Sequence, residues 1–322
     1  MVRGNGSVEV EAAALGELVI DLIPAAGDAT RFMACPGGAP GNVAAGLARL
    51  GVKSLMLSKV GPGVFGDLLI ETLKTAGVET FGIARATAEP TALAVVSLAP
   101  NGERDFVLYR QGCADAAFSE DELPLEAMRN CRLLHVGSLS LATPVSAGAQ
   151  RRAIATVREN GGLISADVNF RPALWRDLQA MRATGLEAAA SADILKVSED
   201  ELERLTGMSD VKAGAKAIWH ASMKLLAVTR GSEGAILFSR DHCVEAPGLP
   251  VTVVDTVGCG DAFMAALLAE ILERREAAFT ERSLGELGRF ACAAGAVMAG
   301  VSGAMATMPL RPDIEALLRV EA

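Results

Sequence analysis

Short apolar runs alternate along the chain with longer stretches of helical periodicity. The runs predict strands at residues 15–20, 54–60, 133–136, 163–167, 194–197, 224–229 and 251–254, and the periodic stretches predict helices at residues 40–50, 65–76 and 146–159. Such alternation is typical of a mostly parallel sheet covered by helices on both faces. The pattern therefore predicts an α/β fold whose ligands bind at the carboxyl edge of the sheet. Asp167, Thr229 and Asp255 are expected at strand ends along that edge.

One segment departs from this rhythm. Residues 91–98 and 106–109 are two β-rich runs on either side of Asn101-Gly102, a dipeptide that favours the tight turn of an antiparallel hairpin. Together with residues 28–35, the hairpin is predicted to form a small sheet that projects from the core. An additional antiparallel edge on the main sheet is the alternative.

Length and charge narrow the class of protein. At 322 residues the chain exceeds a typical single-core domain, so we expect one large α/β domain with an appendage, or two domains. The 39 acidic and 30 basic residues give a net charge of −9 without a basic run, which argues against nucleic acid as a partner. No apolar stretch approaches the length of a membrane span, and residues 1–13, expected to be flexible, lack an apolar signal core. We therefore expect a cytoplasmic protein without membrane association.

The cysteines and histidines point to no site of their own. The six cysteines are scattered without Cys-X-X-Cys spacing, which argues against a zinc site and against a disulfide framework. Each of the three histidines, His135, His220 and His242, fits a structural position better than the role of a catalytic base.

The segment after the predicted strand 251–254 carries the strongest chemical signal. It reads Asp-Thr-Val-Gly-Cys-Gly-Asp over residues 255–261 and leads into an apolar helix. Glycines let the backbone approach a ligand, and the free N–H groups and dipole of a helix start attract an anion such as phosphate. A carboxylate beside a phosphate is useful when it must take a proton from an attacking hydroxyl, which is the position of Asp261. The segment indicates phosphoryl transfer, with an ordinary tight helix entry as the alternative.

Two motifs resemble those of a known family. Residues 255–261 resemble the Asp-Thr-X-Gly-Ala-Gly-Asp signature of the ribokinase-like (PfkB) sugar kinases, and residues 36–44 resemble the N-terminal Gly-Gly motif of that family. The resemblance runs from about residue 14 to 310, and residues 16–21, 137–141 and 167–175 are most similar to bacterial fructokinases. It implies a three-layer α/β sandwich with a mostly parallel central sheet. The resemblance places the kinase core at residues 14–322, with a small antiparallel β lid, residues 22–36 and 88–113, inserted in it. Because the family's lid often doubles as a dimer surface, a homodimer is also implied.

The resemblance assigns the catalytic and sugar-binding roles. It makes Asp261 the general base and gives the anion hole to the backbone of Gly258, Cys259 and Gly260. The residues implied to hold the sugar or the transferred phosphoryl are Asp21, Gly38, Asn42, Arg110, Asn169 and Arg171. Four of these also have structural alternatives: Asp21 as a turn residue, Asn42 as a helix cap, Arg110 as an exposed strand arginine and Arg171 as a brace for Asp167.

The resemblance also implies ATP, Mg²⁺ and a monovalent cation such as K⁺. The nucleotide is assigned to Thr229, Gly231 and Gly234, together with Gly258 and Gly260. Glu201 would hold Mg²⁺ through water, with a solvated acidic helix start as the alternative. The monovalent cation is assigned to Asp255, the carbonyl of Val257 and Thr307.

The expected activity is ATP-dependent transfer of the γ-phosphate to a primary hydroxyl of a small sugar, most simply fructose to fructose 6-phosphate. A 2-keto-3-deoxygluconate kinase and an aminoimidazole riboside or nucleoside kinase are alternatives, and a catalytically idle sugar-binding protein is an alternative of another class. Cys259 departs from the family pattern because it replaces an alanine, and Gly41 also replaces an alanine. A thiolate at a helix N-terminus is favoured, so the sequence predicts a reactive Cys259.

Overall fold

The computed structural model describes residues 9–25, 28–98, 104–170, 172, 175 and 177–320. Within these ranges the strands are β1 Ala12–Leu15, β2 Val19–Ala25, β3 Asp28–Gly37, β4 Ser54–Val60, β5 Ile83–Arg85, β6 Ala92–Leu98, β7 Arg104–Tyr109, β8 Leu133–Gly137, β9 Leu163–Asp167, β10 Ile194–Ser198, β11 Leu225–Thr229, β12 Gly234–Phe238 and β13 Cys243–Pro247. The helices are α1 Ala39–Arg49, α2 Val64–Thr75, α3 Leu125–Met128, α4 Pro144–Glu159, α5 Leu178–Ser191, α6 Glu199–Thr206, α7 Val211–Ile218, α8 Cys259–Arg274, α9 Glu281–Ala299 and α10 Arg311–Val320.

The larger sheet is the centre of a three-layer sandwich. Its order in the described part of the chain is β13-β12-β11-β10-β9-β8-β1-β4-β5, with the run from β11 to β5 parallel and β12 and β13 antiparallel. Side chains alternate between its faces: Ala13 and Leu15 pack into the layer that contains α4 to α7, and Ala12 packs against α1, α8 and α9. The predicted α/β sandwich is confirmed. No helix in the described ranges is long and apolar enough to cross a membrane.

The second sheet is separate from the first and has the order β3-β2-β6-β7. The alternative of an extra edge on the main sheet is therefore wrong. Both hairpins, β2 with β3 and β6 with β7, are antiparallel, but the central pair β2 and β6 is parallel. The prediction of an antiparallel sheet needs this correction. The reason is that each hairpin leaves the core after a strand of the parallel sheet, β1 or β5, so β2 and β6 start in the same direction. The predicted turn at Asn101-Gly102 lies outside the described residues.

The first predicted strand, at residues 15–20, is divided in two. Strand β1 ends at Leu15 and β2 begins at Val19, because the chain passes there from the large sheet to the small one. Gly16 allows this passage, since a Cβ on it would lie only 2.4 Å from Cγ of Pro40. Residues 12 and 13 belong to buried β1, so the predicted flexible segment 1–13 is wrong there, and its residues 1–8 lie outside the described chain.

The strand predicted at residues 251–254 does not form. The segment runs as an extended loop, and the N–H groups of Val254 and Asp255 both donate to the carbonyl of Ala299 at the end of α9. Its hydrogen bonds are therefore made with a helix terminus instead of a neighbouring strand. Val253 and Val254 remain 61% and 57% exposed.

Candidate active site

A cavity of about 900 Å³ lies between the carboxyl edge of the large sheet and the small sheet. From the core it is lined by Asp167, Lys196 and Asp261, and from the small sheet by Asp21 and Leu108, among others. The location agrees with the expectation that ligands of a parallel sheet gather where its strands end.

The turn at residues 258–261 forms one wall of this cavity. Gly258 adopts the left-handed φ of +79° and caps helix α8, which begins at Cys259. The N–H of Cys259 donates a hydrogen bond to the carbonyl of Thr256 at 3.4 Å. The N–H groups of the next two positions, Gly260 and Asp261, belong to the first turn, where a helix offers no carbonyl to receive them. The turn thus has backbone donors of the kind that an anion site requires.

Asp261 is held by an amide from a distant part of the chain. Nδ2 of Asn42 donates to Oδ2 of Asp261 at 2.7 Å, and Asp261 is 9% exposed. Asn42 lies inside α1, whose N-cap is Gly38, so the helix-cap alternative is wrong. Its buried Oδ1 has no hydrogen-bond partner among the described residues. The pair therefore places a carboxylate and an amide acceptor side by side at the cavity.

The departure at Gly41 has a steric explanation. A Cβ on Gly41 would lie 2.6 Å from Cδ2 of Leu18 and 2.7 Å from Cε of Met305. Both side chains are fully buried, so they occupy the space that an alanine methyl would need. The glycine beside Asn42 is thus matched to its packing neighbours.

Lys196 is a cavity residue that sequence reasoning missed. Its Nζ donates to Oδ2 of Asp167 at 2.8 Å, and the two side chains are 8% and 4% exposed. Burial lowers the pKa of Lys196, but Asp167, Glu201 and Asp261 together raise that pKa above its ordinary value. The other oxygen of Asp167, Oδ1, has no hydrogen-bond partner in the described chain. The one sequence signal was a lysine inside the otherwise apolar run 194–197.

His135 lies on the cavity wall in a buried strand position. Its Nδ1 is 3.0 Å from Oγ of Ser165. Burial, and then the charge of Lys196, lower the pKa of His135 to about 3. The imidazole is therefore neutral at physiological pH and a poor proton acceptor.

The predicted sugar-binding residues fall into two groups. Asp21, Gly38, Asn42 and Asn169 line the cavity. Asp21 sits within β2 opposite Cys35, so the alternative of a turn residue is wrong. Gly38 has φ of +108°, and a Cβ on it would lie 2.4 Å from the carbonyl of Glu17. Arg171 lies outside the described residues.

Arg110 is partly buried and ion-paired. Its Nε donates to Oδ2 of Asp115 at 2.5 Å, with the two side chains 10% and 1% exposed. The alternative of an exposed strand arginine is therefore wrong. Burial raises the pKa of Asp115, and the guanidinium beside it opposes that rise. Neither residue is among those that line the cavity in the described chain.

The predicted nucleotide loop follows β11. Oγ1 of Thr229 donates to the carbonyl of Val197 at 3.4 Å, and Gly231 and Gly234 have φ of +56° and +100°. A Cβ on Gly234 would lie 2.1 Å from the carbonyl of Ala246, so this glycine is required by the fold as well. These three residues are not among the described residues that line the cavity.

Glu201 has two backbone partners. Its Oε2 accepts from the N–H of Ser198 in a capping box at the start of α6, and its Oε1 accepts from the N–H of Phe170, each at 2.8 Å. It therefore joins α6 to the loop that leaves β9. The described residues contain no group of three or more His, Cys, Asp or Glu side chains arranged to hold a metal.

The residues assigned to a monovalent cation come from two neighbouring segments. The N–H of Val257 donates to Oδ1 of Asp255 at 3.1 Å. Oγ1 of Thr307 donates to the carbonyl of Ala304 at 3.3 Å. A Cβ on Gly258 would be 3.5 Å from Cβ of Ala304, so the segments lie against each other beside the anion turn.

The surroundings of Cys259 do not favour the reactive thiolate predicted from the sequence. Burial, with the charges of Asp255 and Asp261, raises the pKa of this thiol to about 11. These effects oppose the attraction that a helix N-terminus exerts on a thiolate. The thiol instead lies 3.9 Å from the carbonyl of Asp255.

Comparison with known proteins agrees with this geometry. Residues 11–311 match the family described as pfkB family carbohydrate kinase. The chain is 37% identical over 310 residues to "Fructokinase-2" of Solanum lycopersicum, covering 94% of each chain. It superposes on the fructokinase of Xylella fastidiosa with bound ATP at a TM-score of 0.89, with 30% identity and coverage of 96% and 98%.

A second solved structure is similar to the same extent. It is a fructokinase double mutant from Vibrio cholerae in a fructose-, ADP- and potassium-bound form, with a TM-score of 0.87, 30% identity and coverage of 97% and 99%. The family match spans most of the sequence and includes both motifs that line the cavity. The chain therefore belongs to the pfkB family of carbohydrate kinases.

Proposed function

We propose that the protein is an ATP-dependent fructokinase that phosphorylates the 6-hydroxyl of fructose. The observation that carries the proposal is the buried contact between Asn42 and Asp261, at 2.7 Å, beside the anion turn of α8. This arrangement offers a base for a hydroxyl and an anion site for the group it attacks. The named relatives and solved neighbours, which are fructokinases, support the same activity.

In this proposal Asp261 takes the proton of the attacking hydroxyl as that oxygen bonds to the γ-phosphorus, while the bond from the γ-phosphorus to the β,γ-bridging oxygen breaks and ADP leaves. Asn42 fixes Oδ2 of that carboxylate through the hydrogen bond from its Nδ2. The anion hole assigned to the backbone of Gly258, Cys259 and Gly260 would stabilise the charge on the transferred phosphoryl, and of these the N–H of Gly260 belongs to the first turn of α8, where no helix carbonyl receives it. Positioning and charge stabilisation of this kind supply most of the catalysis in phosphoryl transfer.

The sugar would be held by acceptors on both sides of the cavity. Asp21 on the small sheet and the free Oδ1 of Asn42 can accept from its hydroxyls, with Gly38 and Asn169 beside them. Arg171 is assigned to substrate oxygens or the phosphoryl. The acidic wall favours a neutral polyol over a sugar acid, because carboxylates repel a substrate carboxylate. This supports fructose over 2-keto-3-deoxygluconate.

ATP is assigned to Thr229, Gly231 and Gly234, with its terminal phosphates at Gly258 and Gly260. Bound Mg²⁺ would neutralise charge on the phosphates, and Glu201 would hold it through water. Each oxygen of Glu201 accepts one backbone bond, which leaves lone pairs for such water. Asp255, the carbonyl of Val257 and Thr307 would hold K⁺.

We also propose that the kinase core begins with β1, Ala12–Leu15, instead of at residue 14, and that the small sheet acts as a lid and a homodimer surface. Its described strands carry exposed apolar side chains: Phe32, Met33, Val107 and Tyr109 are between 47% and 62% exposed. Burying such a patch between two copies would stabilise a dimer. Light scattering at several protein concentrations tests this.

A coupled assay of ADP release with Mg²⁺ and K⁺ present tests the activity. Fructose, 2-keto-3-deoxygluconate, ribose and nucleosides are compared, and the product is identified by phosphorus NMR. We expect turnover with fructose and a 6-phosphate product. Preference for the keto acid would identify 2-keto-3-deoxygluconate as the substrate in place of fructose. Sugar binding without turnover of any acceptor would indicate a catalytically idle sugar-binding protein.

A further inference from the structure

The described wall of the cavity is rich in carboxylates and poor in cations. Five acidic residues line it: Glu17, Asp21, Asp167, Asp255 and Asp261. Lys196 is the one lysine or arginine among the described lining residues. Neighbouring carboxylates raise one another's pKa, and the phosphates of ATP would add to this field. A general base in such a wall needs a compensating positive charge if it is to stay ionised.

Lys196 is placed to supply that charge. Its ammonium is fixed by Asp167 at 2.8 Å and is buried from bulk water. A Cβ built on Gly260 would lie only 3.0 Å from its Nζ, so the ammonium sits directly against the turn that carries Asp261. At such an enclosed position a charge interaction is screened less than at the surface.

We propose that Lys196, clamped by Asp167, is a positioning residue that keeps Asp261 ionised as the base. The proposal rests on the proposed kinase function and adds to it a residue that neither family motif contains. Lys196 acts on the reaction through Asp261 and takes no proton itself.

Among the described residues that line the cavity, no other side chain is a lysine or an arginine. Helix α1 presents the neutral Asn42, and the loop before α8 presents Asp255, which opposes ionisation of a second acid. Helix α9 packs on α8, and the part of α9 that follows Arg289 carries no charged side chain. The thiol of Cys292 in that part donates to a carbonyl of β13. The thiol of Cys259 is neutral below a pKa of about 11. Glu17, Asp21 and Asp167 are the other acids of the described wall, so Lys196 is the lining side chain that brings a full positive charge to it, in addition to the hydrogen bond from Asn42.

A double-mutant cycle with pH profiles tests the proposal. The wild type, Lys196→Met, Asp261→Asn and the double variant are assayed with the acceptor that the wild type uses, between pH 5.5 and 9. We expect Lys196→Met to lower kcat at least about tenfold at pH 7 and to move the acid limb of kcat upward by about one pH unit. In the Asp261→Asn background the same change should alter kcat less than about twofold. Lys196→Arg, which keeps the charge, should leave the acid limb in place.

Two results would overturn the proposal. One is an equal loss of kcat in both backgrounds with a raised KM for ATP, which would indicate direct contact with phosphate. The other is an acid limb that does not move in a folded Lys196→Met variant. Circular dichroism verifies folding, and Lys196→Gln, whose amide can still donate to Asp167, replaces the methionine variant if that variant does not fold. A wild type inactive on every acceptor would instead contradict the proposed function itself.

Discussion

Burial should decide how much the ion pair between Arg110 and Asp115 contributes to stability. Nε of Arg110 is 2.5 Å from Oδ2 of Asp115, with the side chains 10% and 1% exposed. The pair of Arg151 and Glu187 has the same kind of contact at 2.7 Å, but its side chains are 60% and 42% exposed. The chain thus contains two pairs of similar geometry in different surroundings.

Arg110→Met leaves the Asp115 carboxylate buried without its charge partner, which costs about 3–5 kcal/mol of unfolding free energy. Arg151→Met removes a surface pair, which contributes about 0–1 kcal/mol. Urea denaturation at pH 7.5 measures both. The neutral double variant in which Asp115→Asn is added to Arg110→Met should recover part of the loss, because no buried charge remains.

The pH dependence gives a second check on the same variant. With Arg110 removed, burial keeps the pKa of Asp115 raised in the folded state above its unfolded value. Because the folded state then favours the protonated carboxyl of Asp115, the contribution of this group to the unfolding free energy is fully present below its pKa in the unfolded state. That contribution is lost as the pH rises through the pKa in the folded state. The deficit of Arg110→Met should therefore be largest at pH 7.5 and shrink toward pH 5. A deficit equal to that of Arg151→Met, or one independent of pH, would refute the reasoning.

Three further outcomes are expected. Asp261→Asn should retain fructose binding by calorimetry but lower kcat about a hundredfold or more, and wild-type turnover would remove Asp261 from the role of base. Fructose should be preferred over 2-keto-3-deoxygluconate by at least about tenfold in kcat/KM, about 1.4 kcal/mol, and Asp21→Asn should erode that preference by weakening fructose. Because burial raises the pKa of Cys259 to about 11, iodoacetamide at pH 8 should label the exposed Cys243 before Cys259, as mass spectrometry can determine; faster labelling of Cys259 would contradict that pKa.

The sequence predicted the elements best where an apolar run has partners on both sides. Strands β4 and β9 have the predicted bounds, Ser54–Val60 and Leu163–Asp167, and both lie inside the parallel sheet. The run at residues 251–254 has the same β-branched composition, yet it pairs with no strand. The N–H of Val254, at the end of this run, instead donates to the carbonyl of Ala299, which lies 45 residues later in the sequence. β-propensity is a local property, whereas strand formation depends on whether the fold supplies an open edge.

The candidate site was predictable to the extent that its residues lie in recognisable motifs. Asp261 and Asn42 belong to two such motifs, and the structure joins them across 219 residues. Lys196 belongs to neither, and its partner Asp167 lies 29 residues away on the neighbouring strand. From the sequence alone, a lysine in an apolar run indicates an interruption of a buried strand, because the acidic partner that allows its burial is not known. Such a pair is encoded by the order of strands in the sheet, which no local pattern contains.

The two glycines of the anion turn, Gly258 and Gly260, are glycine for different physical reasons. Gly258 is fixed by its backbone, since φ of +79° is left-handed and a side chain there would be strained. Gly260 is limited by space instead, because a Cβ on it would lie 3.0 Å from Nζ of Lys196 and the ammonium, which Asp167 holds, would have to shift by a few tenths of an ångström. Cys259 between them has neither constraint: its φ is not left-handed, and its partly buried side chain packs against a buried apolar cluster. This explains why a cysteine is accommodated between the two glycines, and it ties the second glycine to a lysine on another strand.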